Sequence, residues 1–185
     1  PVGNAGNITA VMSGFLKFYD AGIISSLPKI VGVQSKHANP VYRYYLEPDA
    51  ARRRFVPVTV KRSVAQAAMI GNPVSMPRVI HLVELYNELA GCQKTFFVEV
   101  SEQEIMDWEL AANRNGHIAC THGGESLAGL VEAVQRGITG KDDRKRVAPS
   151  AGGLHPLTVY VLRSDGVWRY LSAQHELIRH STQDL

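Results

Sequence analysis

Residues 95–113 read TFFVEVSEQEIMDWELAAN. Thr95 to Val100 alternates and carries β-forming residues, which predicts a strand. Ser101 followed by Glu104 is a capping box, so a helix is expected directly behind that strand, ending near Asn113. A strand that feeds a helix of this length points to a parallel sheet covered on both faces.

The same rhythm extends outward in both directions. Upstream, Pro77 to Leu89 is amphipathic, with Pro77 suited to the first helical position and Gly91 to the residue just past the end. Lys29 to Gln34 (KIVGVQ) has buried-strand character. Ile8, Val11, Met12, Phe15, Leu16 and Tyr19 keep a helical period behind Asn7, a suitable N-cap, and Gly22 and Pro28 end that helix. Val41 to Leu46 reads as helical. Val64 to Ile70 reads as an alanine-rich helix stopped by Gly71-Asn72-Pro73. Downstream, Ile118 to Cys120 is a short strand candidate, and Glu125 to Gln135 a further helix. After the polar stretch Thr139 to Arg146 the texture changes. Leu157 to Leu162 and Val167 to Leu171 are β runs separated by Arg163-Ser164-Asp165-Gly166, an antiparallel hairpin signal. A boundary is expected between 1–137 and 138–185, and there is no internal repeat.

The chain has 185 residues, about one domain by length; at 45% hydrophobic and 20% charged it lies inside the globular range. No run approaches the roughly 18 consecutive apolar residues of a membrane span, and no secretory leader is visible. Cys92 and Cys120 are too few for a disulfide scaffold, so a reducing, cytoplasmic setting is expected. The net charge is only +3. Its two basic runs, Lys141 to Arg146 and Arg52 to Arg54, lack the aromatic-interleaved stripe of a nucleic-acid binder, so none is expected.

Three constellations could carry chemistry. Gly3-Asn4-Ala5-Gly6-Asn7 ahead of a helix suits a phosphate: glycines let N–H groups converge, asparagines add donors and the helix start favours an anion. A tight turn before a helix needs no ligand, so the residues alone leave both readings open. His117, Cys120 and His122 invite a metal check, but Cys120 is expected to fill core, and neither a zinc site nor a Cys–His nucleophile is assigned. Ser150-Ala151-Gly152-Gly153-Leu154-His155-Pro156 would let a flat ring or phosphate approach the backbone, or is simply a loop before a strand. Glu84, Glu88, Glu102 and Glu104 read as solvated helix faces, and Tyr42, Tyr44 and Tyr45 as core and rim.

Residues 1 to about 137 resemble the C-terminal half of the threonine synthase family. The resemblance rests on PVGNAGN at 1–7, SVAQAAMIGNPVS at 63–75, AANRNGHIACT at 111–121 and GGESLAGL at 123–130. It implies fold type II of the pyridoxal-phosphate enzymes, hence an α/β, partial three-layer αβα sheet. It further implies that Gly3, Asn4, Ala5, Gly6 and Asn7 cradle the phosphate of pyridoxal phosphate. The family reaction turns O-phosphohomoserine and water into threonine and phosphate. The family places its cofactor-binding lysine well upstream of the phosphate loop. Lys17, Lys29, Lys36, Lys61 and Lys94 match no such motif, so no catalytic residue is assigned and these 185 residues alone are expected to be inactive.

From about Val134 onward the sequence resembles the flavin-dependent nitroreductase family, in its peptide-azoline dehydrogenase branch. The carrying residues are Arg136-Gly137-Ile138-Thr139-Gly140, Ala148 to Leu157, Val159 to Leu162 and Gly166 to Tyr170. This resemblance implies a small α+β antiparallel hairpin piece, with Pro149, Ser150, Ala151 and Gly152 lining FMN, usually in a dimer. Two rivals to the threonine-synthase reading follow: an FMN-dependent oxidoreductase and a non-catalytic module for a phosphorylated ligand. Self-association, as a homodimer or through bare sheet edges, is expected.

Overall fold

The computed structural model describes residues 1–136, 138, 160–163, 166–171 and 176–181. Its centre is a pair of parallel strands, β1 (Ile30–Ser35) and β2 (Thr95–Val100), in register from Ile30 opposite Thr95 to Ser35 opposite Val100. The chain passes between them through α2 (Pro40–Tyr45), a 3-10 turn at Gln66–Ala68 and α3 (Met76–Ala90). Before β1 lies α1 (Gly6–Asp20); after β2 come α4 (Glu102–Arg114) and α5 (Thr121–Gln135).

Side-chain alternation along the strands sorts the core into two clusters, because successive residues of a strand face opposite ways. Ile30 and Phe97 join Ile8 and Met12 of α1, Val41 of α2, and Val79, Val83 and Tyr86 of α3. Val33, Val98 and Val100 join Ile105 of α4 and Ala128 of α5, with Ala65 and Ala68. Helices therefore cover both faces, as a parallel pair requires. Tyr45 stacks on Phe97, ring centroids 4.4 Å apart, and Tyr44 meets Tyr45 edge-on, which makes this aromatic run the rim of the first cluster. Separately, β3 (Tyr160–Arg163), β4 (Gly166–Leu171) and β5 (Glu176–Ser181) pair antiparallel in the order β3-β4-β5.

The capping box forms as the sequence requires. Ser101 Oγ accepts from the Glu104 N–H at 3.2 Å, and Glu104 Oε2 accepts from the Ser101 N–H at 2.7 Å. The Ser101 hydroxyl, which donates to Glu104 Oε2 at 2.6 Å, and the Ser101 N–H hold the Glu104 carboxyl below its ordinary range. Ser101→Ala is expected to cost about 1 kcal/mol in chemical denaturation, with a loss of helicity. Pro77 falls in the first turn of α3, and Gly91 ends that helix with φ +65°.

Five local expectations are corrected by the structure. Asn7 is not the cap of α1: that position is Ala5, and Asn7 lies in the first helical turn. The helix expected over Val64 to Ile70 is reduced to the 3-10 turn. The Val64 N–H goes to Glu102 Oε2 at 2.6 Å and the Ala65 N–H to Ser63 Oγ at 3.1 Å, while the Gln66, Ala68, Met69 and Ile70 N–H groups donate to carbonyls two or three residues back, not four as an α-helix needs. No strand forms at Ile118 to Cys120, because the Asn113 side chain bonds both backbone groups of Ala119 and takes the place of a partner strand. Cys120 is consequently exposed rather than core, and α5 begins at Thr121, four residues before the expected start.

Candidate phosphate-binding site

Val2 lies alongside β1. Its N–H donates to Val33 O at 2.9 Å and its carbonyl accepts from Gln34 Nε2 at 2.8 Å. The buried Gln34 amide also accepts from the Val41 and Tyr42 N–H groups, both at 3.0 Å. One side chain thus ties the base of the Gly3–Asn7 loop to the head of α2. Sequence reasoning missed it, because a glutamine inside an apolar run carries no local sign that three backbone groups depend on it.

Gly3 follows where the backbone presses against the segment 67–70. A Cβ there would sit 3.2 Å from Ala68 Cα and 3.3 Å from Ala67 O, so the close approach depends on the missing side chain. Asn4 O accepts from the Ser75 N–H at 3.2 Å, which pins the loop on its second side. Ala5 then turns the chain with φ +65° and ψ 8°, and among the described residues it alone is non-glycine with positive φ. This left-handed turn is costly for a residue with a Cβ and persists where surrounding bonds enforce it.

That turn aims the start of α1 outward. The first intrahelical bond runs from Thr9 N–H to Ala5 O at 3.2 Å, and no side chain caps the N–H groups of the first turn. Gly6 has no atom within 4 Å of where a Cβ would be, and Asn4, Gly6 and Asn7 are exposed. Uncapped donors, the positive end of a 15-residue helix and open room beside Gly6 match a phosphate dianion. The donor set fits the phosphate end of pyridoxal phosphate. The N–H groups of Gly6, Asn7 and Ile8 would hold the phosphate.

Beyond the loop, Arg62, Ser63, Val64, Gln66 and Glu102 line an open cavity of about 380 Å³. Glu102 is no solvated helix residue. It accepts from the Ser35 hydroxyl and the Val64 N–H, and its Oε1 lies 3.5 Å from His37 Nδ1. That ring nitrogen is 2.6 Å from Arg62 O, the geometry of a donated N–H. Glu84, Glu88 and Glu104 are exposed as expected.

Among the described residues no group of three or more His, Cys, Asp and Glu side chains could hold a metal. Cys120 Sγ stands 3.9 Å from His122 Nδ1, and the N–H groups of Gly123 and His122 hold its thiol below the ordinary range. No described helix is long and apolar enough to cross a membrane. Pro149, Ser150, Ala151 and Gly152 lie outside the described residues.

A parallel α/β unit with open N–H groups at the head of a helix defines an α/β protein with a candidate anion site. The chain belongs to the pyridoxal-phosphate dependent enzyme family, whose model matches residues 1–148. Among its relatives is "Threonine synthase 2, chloroplastic" of Arabidopsis thaliana, 32% identical over 154 residues, covering 83% of this chain and 28% of the relative. The threonine synthase of Methanocaldococcus jannaschii is 33% identical over 148 residues, 78% of this chain and 33% of the relative. That of Mycobacterium tuberculosis is 30% identical over 138 residues, 74% and 33%. The chain spans about a third or less of the length of these relatives.

Proposed function

We propose that these residues are the phosphate-anchoring part of an enzyme that converts O-phosphohomoserine and water to threonine and phosphate. The observation that carries this reading is the left-handed turn at Ala5, which opens the head of α1 at Gly6, in a chain similar to threonine synthases. Pyridoxal phosphate supplies an electron sink for carbanions when bound. The chain's own part is to hold the phosphate with uncapped N–H groups and to keep the loop rigid through Gln34, Gly3 and Ser75. Lys17, Lys29, Lys36, Lys61 and Lys94 match no cofactor-lysine motif, so the 185 residues alone are expected to release no phosphate from O-phosphohomoserine. The division into 1–137 and 138–185, a homodimer and the cytoplasmic setting belong to the same proposal. The flavin alternative rests on Pro149, Ser150, Ala151 and Gly152, just past the end of the family match, and no finding supports it.

The test compares pyridoxal phosphate with pyridoxal, which lacks the phosphate, by absorbance and fluorescence titration. The wild-type chain is expected to hold the phosphorylated form about tenfold or more tighter, the worth of one charge-assisted hydrogen bond. Gly6→Val fills the open space beside the helix head and is expected to abolish the difference. Equal affinity of the wild type for both compounds overturns the reading.

A further inference from the structure

Glu125, in the second turn of α5, is fully buried, and neither carboxyl oxygen has a hydrogen-bond partner. Glycines on either side of it let α5 approach its neighbours closely. At Gly124 a Cβ would fall 2.3 Å from Ile105 O on α4, and at Gly129 2.5 Å from the Val33 side chain on β1. With no slack on either side of Glu125, α5 cannot shift to let water reach the carboxyl while it stays docked. An ionised carboxylate held this way is costly, and protonation removes the cost.

We propose that Glu125 is a proton-operated latch: α5 stays docked on β1 and α4 while the carboxyl is protonated, and ionisation loosens its first turns. The groups facing it come from each neighbouring element. The Ser35 N–H, at the end of β1, favours ionisation without meeting either oxygen in hydrogen-bond geometry. Glu102, at the head of α4, opposes it. β2 turns Val98 and Val100 to this face, while Glu99 bonds Asn39 at the start of α2. Burial outweighs that favourable N–H and raises the carboxyl from its ordinary 4.5 to about 7.

The sign follows from the raised value. With both states protonated, below about pH 4.5, docking carries no penalty. The penalty grows as pH rises from there to about 7, where the docked group also ionises, and is constant above. The latch is independent of the phosphate reading and is tested without any ligand. Hydrogen exchange at α5 amides of the full chain is expected to lose roughly fiftyfold in protection between about pH 5 and about pH 8, beyond the intrinsic rate change. Glu125→Gln keeps the shape without the ionisation and is expected to show no such loss. The same pH dependence in Glu125→Gln overturns the latch. If that variant fails to fold, carboxyl-carbon NMR of the wild type decides: a Glu125 midpoint near 7 supports the latch, and one below about 5 overturns it.

Discussion

Tyr86→Ala is expected to lower the unfolding free energy by about 3–5 kcal/mol. Tyr86 is the largest fully buried side chain of the described residues and stands on α3 among Met12, Val79 and Val83. Deleting the ring removes its transfer energy and leaves a cavity, since α1 and α3 are held by the same cluster and cannot simply close over it. The hydroxyl contributes separately. It donates to Pro28 O at 3.0 Å, and burial pushes its ionisation above the ordinary tyrosine range, so it stays a donor. Tyr86→Phe therefore isolates the polar part, expected at about 1–2 kcal/mol with the Pro28 carbonyl left bare. Urea denaturation followed by far-ultraviolet circular dichroism separates the two. A loss below about 1 kcal/mol for the alanine variant would show that the α1–α3 cluster does not carry the fold.

Gln34→Leu comes next, at about 3–4 kcal/mol, for a different reason. The volume is nearly kept, but the Val2 carbonyl and the Val41 and Tyr42 N–H groups lose their partner together. Unsatisfied buried groups cost more than the bonds themselves contribute, because water cannot replace the lost partner. The variant also frees the base of the Gly3–Asn7 loop. Its affinity for pyridoxal phosphate is expected to fall even in conditions where the chain is still folded. Denaturation paired with cofactor titration reads both effects, and a variant with wild-type affinity would place the loop's rigidity elsewhere.

The alternation of Thr95 to Val100, the Ser101–Glu104 box, the helical period behind Asn7 and the Pro77–Gly91 pair were all legible because each signal lies within a few residues. The elements formed at or within a residue or two of the expected places. The loop Gly3-Asn4-Ala5-Gly6-Asn7 was legible as a turn ahead of a helix, and its residues alone left an anion cradle and a bare turn both open. The misread segments share one cause. At Val64 to Ile70 a carboxylate 38 residues away fixes the Val64 N–H, and the segment behind it closes into tighter turns than an α-helix. Across Ile118 to Cys120 a side chain of α4 replaces a strand partner. Neither competitor is visible in the local pattern.

The sequence by itself determined the α/β alternation and the helix limits set by the capping box and glycine, since these depend on neighbours along the chain. The tertiary structure alone decided that Ala5 takes the left-handed turn, that Gln34 anchors the loop, that Glu102 is a structural acceptor and that Glu125 is buried without a partner. Each of those depends on which distant groups crowd or exclude water from a residue. Burial and hydrogen-bond competition arise only once β1, α4 and α5 have packed.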